Sequence, residues 1–171
     1  MPPVGEGVRR GTLPGRDRRE MLLESDLDTF ADDLQARVVK DAREVYSEEV
    51  VRRWLDTPHA GVMENSGARA RVTGPCGDTM EMFLRVSEGC VSEASFVTGG
   101  CASTIACGSM TCDLALGKTV AGLRELTQEA ILEALGGLPE ADQHCALLAA
   151  NTLRAAAADW ARRERPERGH A

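Results

Sequence analysis

Aromatic residues are scarce in this chain, with three phenylalanines, two tryptophans and one tyrosine among 171 residues. A core without them must be filled by Leu, Val, Ala and Met, which suits packed helices beside a small sheet better than a β-sandwich. No apolar run approaches the roughly 18 residues that span a bilayer, and the N-terminal stretch lacks the apolar centre of a secretory signal. The expectation is a cytoplasmic protein without a membrane partner. Positive charge is also in deficit: 20 Lys and Arg stand against 27 Asp and Glu, a formal charge of −7, so nucleic acid is not expected as a partner either. A last absence concerns spacing. Six cysteines occur, yet no two form Cys-x-x-Cys, which argues against a zinc ribbon or a ferredoxin-type site built from local ligand pairs. In a reducing compartment they are not a disulfide framework, so the question becomes which thiols are ligands or nucleophiles.

What is present fits one domain, which at this length buries roughly two-thirds of its unfolded surface. Residues 1–20, rich in Gly, Pro and Arg, read as a disordered leader. Residues 21–45 read as an N-terminal helical extension, because Leu27, Phe30, Leu34, Val38 and Ala42 recur at helical spacing. The main domain is expected over 46–164, with a tail over 165–171. Within it, Ser47 is placed to cap a short helix that Pro58 ends. Arg69–Thr73, Met80–Val86 and Val91–Thr98 read as strands, separated by Gly74-Pro75 and Ser87-Glu88-Gly89 turns. Helical spacing returns after Cys101, with Ile105, Gly108, Cys112 and Leu116 on one stripe, again after Thr127, and from near Pro139 to about Arg163. The expected fold class is α+β: a small three-stranded antiparallel sheet covered by helices.

Three cysteines sit in informative settings. Cys76 lies in Gly74-Pro75-Cys76-Gly77-Asp78, Cys101 follows Gly99-Gly100 at a strand-to-helix junction, and Cys145 follows His144 in the first turns of the last helix. Helix N-termini favour the thiolate, the form that binds metal or attacks sulfur. Asp78 and His144 are near enough to their cysteines to share a pocket with Cys76, Cys101 and Cys145. Three soft thiolates with one exchangeable carboxylate or imidazole suit zinc or an iron–sulfur cluster. Cys90, Cys107 and Cys112 read as packing residues, Met80 and Met82 as core, and His59 has no constellation around it. The Arg162-Arg163 pair reads as a solvated helix end.

Gly74-Pro75-Cys76-Gly77-Asp78, Thr98-Gly99-Gly100-Cys101-Ala102-Ser103 and His144-Cys145, with Tyr46-Ser47-Glu48 and Gly117-Lys118-Thr119, resemble the iron–sulfur cluster assembly scaffold family of the IscU and NifU N-terminal type. The resemblance covers about Tyr46 to Trp160. It implies an α+β scaffold on which a [2Fe–2S] cluster is assembled from iron and desulfurase-derived sulfur and then passed to apo-proteins, with no turnover of a small substrate. By the same resemblance Cys76, Cys101 and Cys145 match the family's cluster cysteines, Asp78 its labile carboxylate and His144 its adjacent histidine. Cys145 also matches the thiol that accepts persulfide sulfur, and Tyr46 the tyrosine associated with the desulfurase interface.

The implied partners are a cysteine desulfurase and apo iron–sulfur proteins, extended by the resemblance to a frataxin-like protein, ferredoxin and heat-shock and J-protein chaperones. Here the chaperone motif is degenerate, because Asp142 stands where chaperone-served members carry a lysine. The expected state is a monomer or a cluster-bridged dimer, and zinc suits the isolated apo form. The alternative is a zinc-dependent sulfur acceptor for a cysteine desulfurase. That branch of the family has an insertion before its last cysteine and lacks the histidine, and this chain shares neither feature.

Overall fold

The computed structural model describes residues 18–164, with side chains from residue 27 onward. The predicted leader up to residue 17 and the predicted tail lie outside the described residues. The chain divides into two units, one ending at Val39 and one starting at Lys40. The first carries most of α1 (Arg18–Val45), which starts ahead of the predicted residue 21. Its apolar stripe is present but uncovered: Leu27 and Phe30 are each 66% exposed, and Leu34 and Val38 are exposed too.

The second unit holds α2 (Glu48–Asp56), a sheet of β1 (Ala68–Thr73), β2 (Thr79–Ser87) and β3 (Cys90–Thr98), then α3 (Ala102–Ala115), α4 (Gln128–Ala134) and α5 (Gln143–Arg163). Ser47 caps α2 as expected, its Oγ accepting from the Val50 N–H at 3.2 Å, and Thr57 stops the helix in a left-handed conformation at φ 44°. Thr127 caps α4 in the same way, accepting from the Ala130 N–H.

The sheet has the order β1-β2-β3, antiparallel throughout. Ala68 pairs with Leu84 and Thr73 with Thr79, while Met80 pairs with Thr98 and Ser87 with Cys90. Glu88 and Gly89 close the β2-β3 hairpin with positive φ at both positions, 54° and 78°, which gives a two-residue turn the same twist as its strands. Met80, Met82, Leu84, Ala94 and Phe96 form the buried face. Phe83, which alternates with Met82 and Leu84 and so points to the opposite face, is also buried, so β2 is covered on both sides at that point.

On the core face α5 packs across β1 and β2, and α3 packs against β3. α3 is buried almost all round, well beyond the single predicted stripe, and only Leu116 of that stripe, just past its end, is exposed. Gly108 permits this: a Cβ there would lie 2.6 Å from the Phe96 ring. Free edges are tied down as well. The Phe96 N–H donates to His59 O at 3.0 Å and the Gly61 N–H to Phe96 O at 2.8 Å, while the Val91 N–H donates to Lys118 O and the Gly117 N–H to Val91 O, both at 2.9 Å. At the other side Asp159 accepts from the Arg69 N–H at 3.1 Å and pairs with Arg162 at 3.1 Å and Arg163 at 2.8 Å. The arginine pair is exposed, as expected of a solvated helix end, and also braces the carboxylate that receives the Arg69 N–H. No described helix is long and apolar enough to cross a membrane.

Candidate metal centre

The β1-β2 connection is a tight turn in which the Gly74 N–H donates to Asp78 O at 2.8 Å and the Gly77 N–H to Gly74 O at 3.1 Å. It presents Cys76 and Asp78 at the sheet's end. Cys101 occupies the cap position of α3 in an extended conformation, and its carbonyl accepts the first helical bond from the Ile105 N–H at 3.0 Å. Cys145 is the third residue of α5. Three separate segments thus converge: ligand atoms of Asp78, Cys101 and Cys145 lie within 4.8 Å of one another. Cys101 is exposed, Asp78 is half-buried and Cys145 is only 1% exposed.

The other two expected ligands stand beside this group. Cys76 is exposed on the same turn as Asp78 and does not join the close triad. His144 Nδ1 lies 2.7 Å from Ala141 O, and its Nε2 lies 3.7 Å from Cys145 Sγ. A ring nitrogen facing a carbonyl must carry the proton, so the Nε2 lone pair is left for an acceptor or ligand role.

A residue that sequence reasoning passed over sits at the centre. Thr104, 0% exposed, has its Oγ1 2.8 Å from Asp78 Oδ2, 3.4 Å from Cys145 Sγ and 3.5 Å from Cys101 Sγ. The available signal was a hydroxyl three residues after a cysteine that caps a helix. A second shared acceptor lies next to it: Asp142 Oδ2 accepts from Tyr46 OH at 2.8 Å and from Ser103 Oγ at 2.9 Å. The aspartate in the lysine position therefore ties the N-terminal tyrosine to the start of α3.

The thiols differ electrostatically. Burial pushes Cys101 up, but hydrogen bonds from the Thr104 hydroxyl and from the Thr104 and Ser103 N–H groups outweigh it and leave the thiol below its ordinary value. Burial pushes Cys145 up to about 12, and the nearby Cys101 adds to this. Cys112 is pushed up to about 12 and Cys107 further, both by burial, which fits packing residues inside α3. Tyr46 OH is held above its ordinary value: a hydrogen bond with Ser103 lowers it, and the Asp142 carboxylate and burial more than compensate.

The donor set, one carboxylate and two thiols with a third thiol and an imidazole alongside, is that of a site for zinc or iron. Close backbone approach also fits, because a Cβ on Gly100 would lie 2.5 Å from Asp78 Oδ2. Among the remaining histidines, His59 has a partner that the sequence did not suggest: its Nε2 lies 2.7 Å from Asp113 Oδ1. Asp113 also binds Arg53, whose other guanidinium nitrogens reach Glu49 at 2.7 Å and Ser109 at 2.8 Å.

The sequence matches the family described as the NifU-like N terminal domain over residues 45–167. The chain belongs to that family. Among NifU-like relatives, the iron–sulfur cluster assembly scaffold protein IscU 1 of Archaeoglobus fulgidus is 37% identical over 120 residues, covering 70% of this chain and 78% of the relative. The corresponding IscU of Escherichia coli K12 is 33% identical over 120 residues, covering 67% and 93%. The fold is shared with the crystal structure of a nitrogen-fixing NifU-like protein (N-terminal) from Brucella abortus, at a TM-score of 0.56 and 19% identity, over 69% of this chain and 95% of that one. The α+β reading with a three-stranded sheet holds, and α1 lies almost wholly outside the matched NifU-like segment.

Proposed function

We propose that this protein is a scaffold and carrier, not an enzyme: it assembles a [2Fe–2S] cluster from iron and desulfurase-derived sulfur and transfers it to apo-proteins. The observation that carries this is the convergence of Asp78, Cys101 and Cys145 from three segments of a NifU-like chain. Cys76 on the same turn as Asp78 completes a three-thiol set, and Asp78 is the fourth, oxygen ligand, with the His144 Nε2 as its rival. Hard oxygen binds iron less firmly than thiolate does, so Asp78 is the ligand that leaves first during transfer.

Sulfur enters as persulfide. The Cys145 thiolate attacks the outer sulfur of the desulfurase persulfide, the donor S–S bond breaks, and the desulfurase cysteine leaves as a thiolate while Cys145 carries the new S–S bond. Because Cys145 is buried, this step requires α5 and the Asp78 turn to open locally, whereas Cys101 is already accessible. The partners are then a cysteine desulfurase and apo iron–sulfur acceptors, with a frataxin-like protein and ferredoxin as auxiliaries in the cytoplasm. Asp142, engaged by Tyr46 and Ser103, weakens any lysine-dependent chaperone contact. The domain scheme follows: a scaffold over 46–164, preceded by a helical extension.

The test is anaerobic reconstitution with ferrous iron, cysteine and a cysteine desulfurase, followed by visible absorption and transfer to apo-ferredoxin. Cluster bands and transfer are expected, with Asp78→Ala slowing release. Absence of both, with zinc retained and persulfide accumulating on the chain, overturns the scaffold reading in favour of a zinc-dependent sulfur acceptor.

A further inference from the structure

We propose that Thr104 is the positioning residue of the metal centre, holding the Asp78 carboxylate toward Cys101 and Cys145 before any metal arrives. The inference rests on the scaffold reading for its biological meaning, but its geometry is independent of which metal or cluster is carried.

Three fully buried threonines in the core helices show that the placement is particular. Thr152 spends its hydroxyl on its own helix, donating to Leu148 O at 2.7 Å, and Thr111 Oγ1 has no partner at all. Thr104 turns away from its helix. Its Oγ1 meets Asp78 Oδ2, Cys145 Sγ and Cys101 Sγ, three groups from three segments. A hydroxyl has one proton to give. At 2.8 Å Asp78 Oδ2 is the nearest acceptor for that proton, and the two sulfurs, at 3.4 and 3.5 Å, are longer, weaker partners of the same hydroxyl. One atom therefore fixes the spacing of all three donors.

Space enforces the same arrangement. The missing side chain of Gly100 leaves the volume in which Asp78 and Thr104 meet, since a Cβ would lie 2.5 Å from Asp78 Oδ2 and 2.7 Å from both Cβ and Oγ1 of Thr104. Burying a hydroxyl is costly unless it is bonded, so a packing role alone would be served as well by valine. Residues that orient metal ligands from behind are typically worth about 10- to 100-fold in metal affinity.

The experiment uses cobalt(II) as the probe, titrated into the full-length protein and into Thr104→Val, Thr104→Ala and Thr104→Ser, with binding read from thiolate-to-cobalt and d–d absorption. The expected result is about a tenfold or greater loss of affinity in Thr104→Val and Thr104→Ala, with altered d–d bands, and recovery to within about threefold in Thr104→Ser. Asp78→Asn should cost far less in the Thr104→Val background than alone, because the two residues act as a unit. NMR couplings of Asp78 in the metal-free protein give a second readout, with one χ1 rotamer in the unaltered and Ser forms and averaging in the Val form. Equal affinity and spectrum in a folded Thr104→Val or Thr104→Ala overturn the proposal, as does a single Asp78 rotamer without the hydroxyl or an unaltered chain that takes up no cobalt. Failure of cluster reconstitution with these cobalt results intact would overturn the scaffold function and leave the role of Thr104 standing.

Discussion

α3 carries two polar clusters, one at its N-terminal end and one in its second half, and they are built on opposite terms. At the first, two sulfurs and a carboxylate crowd around the single hydroxyl of Thr104, and none of them has an ionic partner among the described residues. At the second, Ser109 and Asp113 meet Arg53, which is 4% exposed and has all three guanidinium nitrogens engaged by Glu49, Ser109 and Asp113. A buried charge with its partners in place is costly to disturb, and it pins α2 to α3. Thiols and a carboxylate gathered at one point can release their protons to take up a cation. The same helix is thus anchored at one end and left ready for exchange at the other.

The largest effect should come from emptying the first cluster. Cys101→Ser and Cys145→Ser are each expected to lose cluster retention altogether, seen as absent visible bands after anaerobic reconstitution, with the thermal transition little changed. Next is the anchor. Arg53→Met should lower unfolding free energy by about 2 kcal/mol in urea titrations, since the buried Ser109 hydroxyl loses its charged partner and Glu49 and Asp113 lose their tie to it. Metal affinity of the folded fraction should stay the same; a parallel fall would show that the two ends of α3 are not independent. Between them, Gly108→Ala forces a methyl into the Phe96 ring and should cost about 2 kcal/mol by the same measurement.

Smaller effects follow. Tyr46→Phe removes one of the two donors to Asp142 and should cost about 1 kcal/mol. The smallest is a pH effect on Asp113. Burial pushes its carboxyl up, but Arg53 and His59 pull it below the ordinary value. A depressed carboxyl contributes stability above its unfolded pKa and loses it as pH falls through the folded one. Asp113→Asn should therefore flatten the acid side of the stability curve by about 0.5 kcal/mol after solvent screening, measured by urea unfolding through and below the carboxylate range.

Much of this was legible in the sequence because the signals were local. Alternation of Met80, Met82 and Leu84 gave β2, the glycine turn gave its hairpin, and Ser47 and Thr127 announced helix starts that their side-chain bonds bear out. That the Asp78, Cys101 and Cys145 segments meet was legible for another reason: motifs at element ends keep their order even when no spacing rule links them. What escaped depended on contacts across the chain. His59 lies 54 positions from Asp113, and Tyr46 lies 96 from Asp142. Thr104 resembled any helical threonine until Asp78 stood opposite. The stripe of Leu27, Phe30, Leu34 and Val38 predicted a helix correctly, yet periodicity alone does not say whether an apolar face is covered.

The backbone bonds along the outer side of β3 have a consequence for behaviour at high concentration. A three-stranded sheet is nearly all border, and an open border recruits strands from other molecules. Here the 59–61 segment and the Gly117-Lys118 turn take up the outward groups of Phe96 and Val91. At those two points the β3 border is closed to strands of neighbouring molecules.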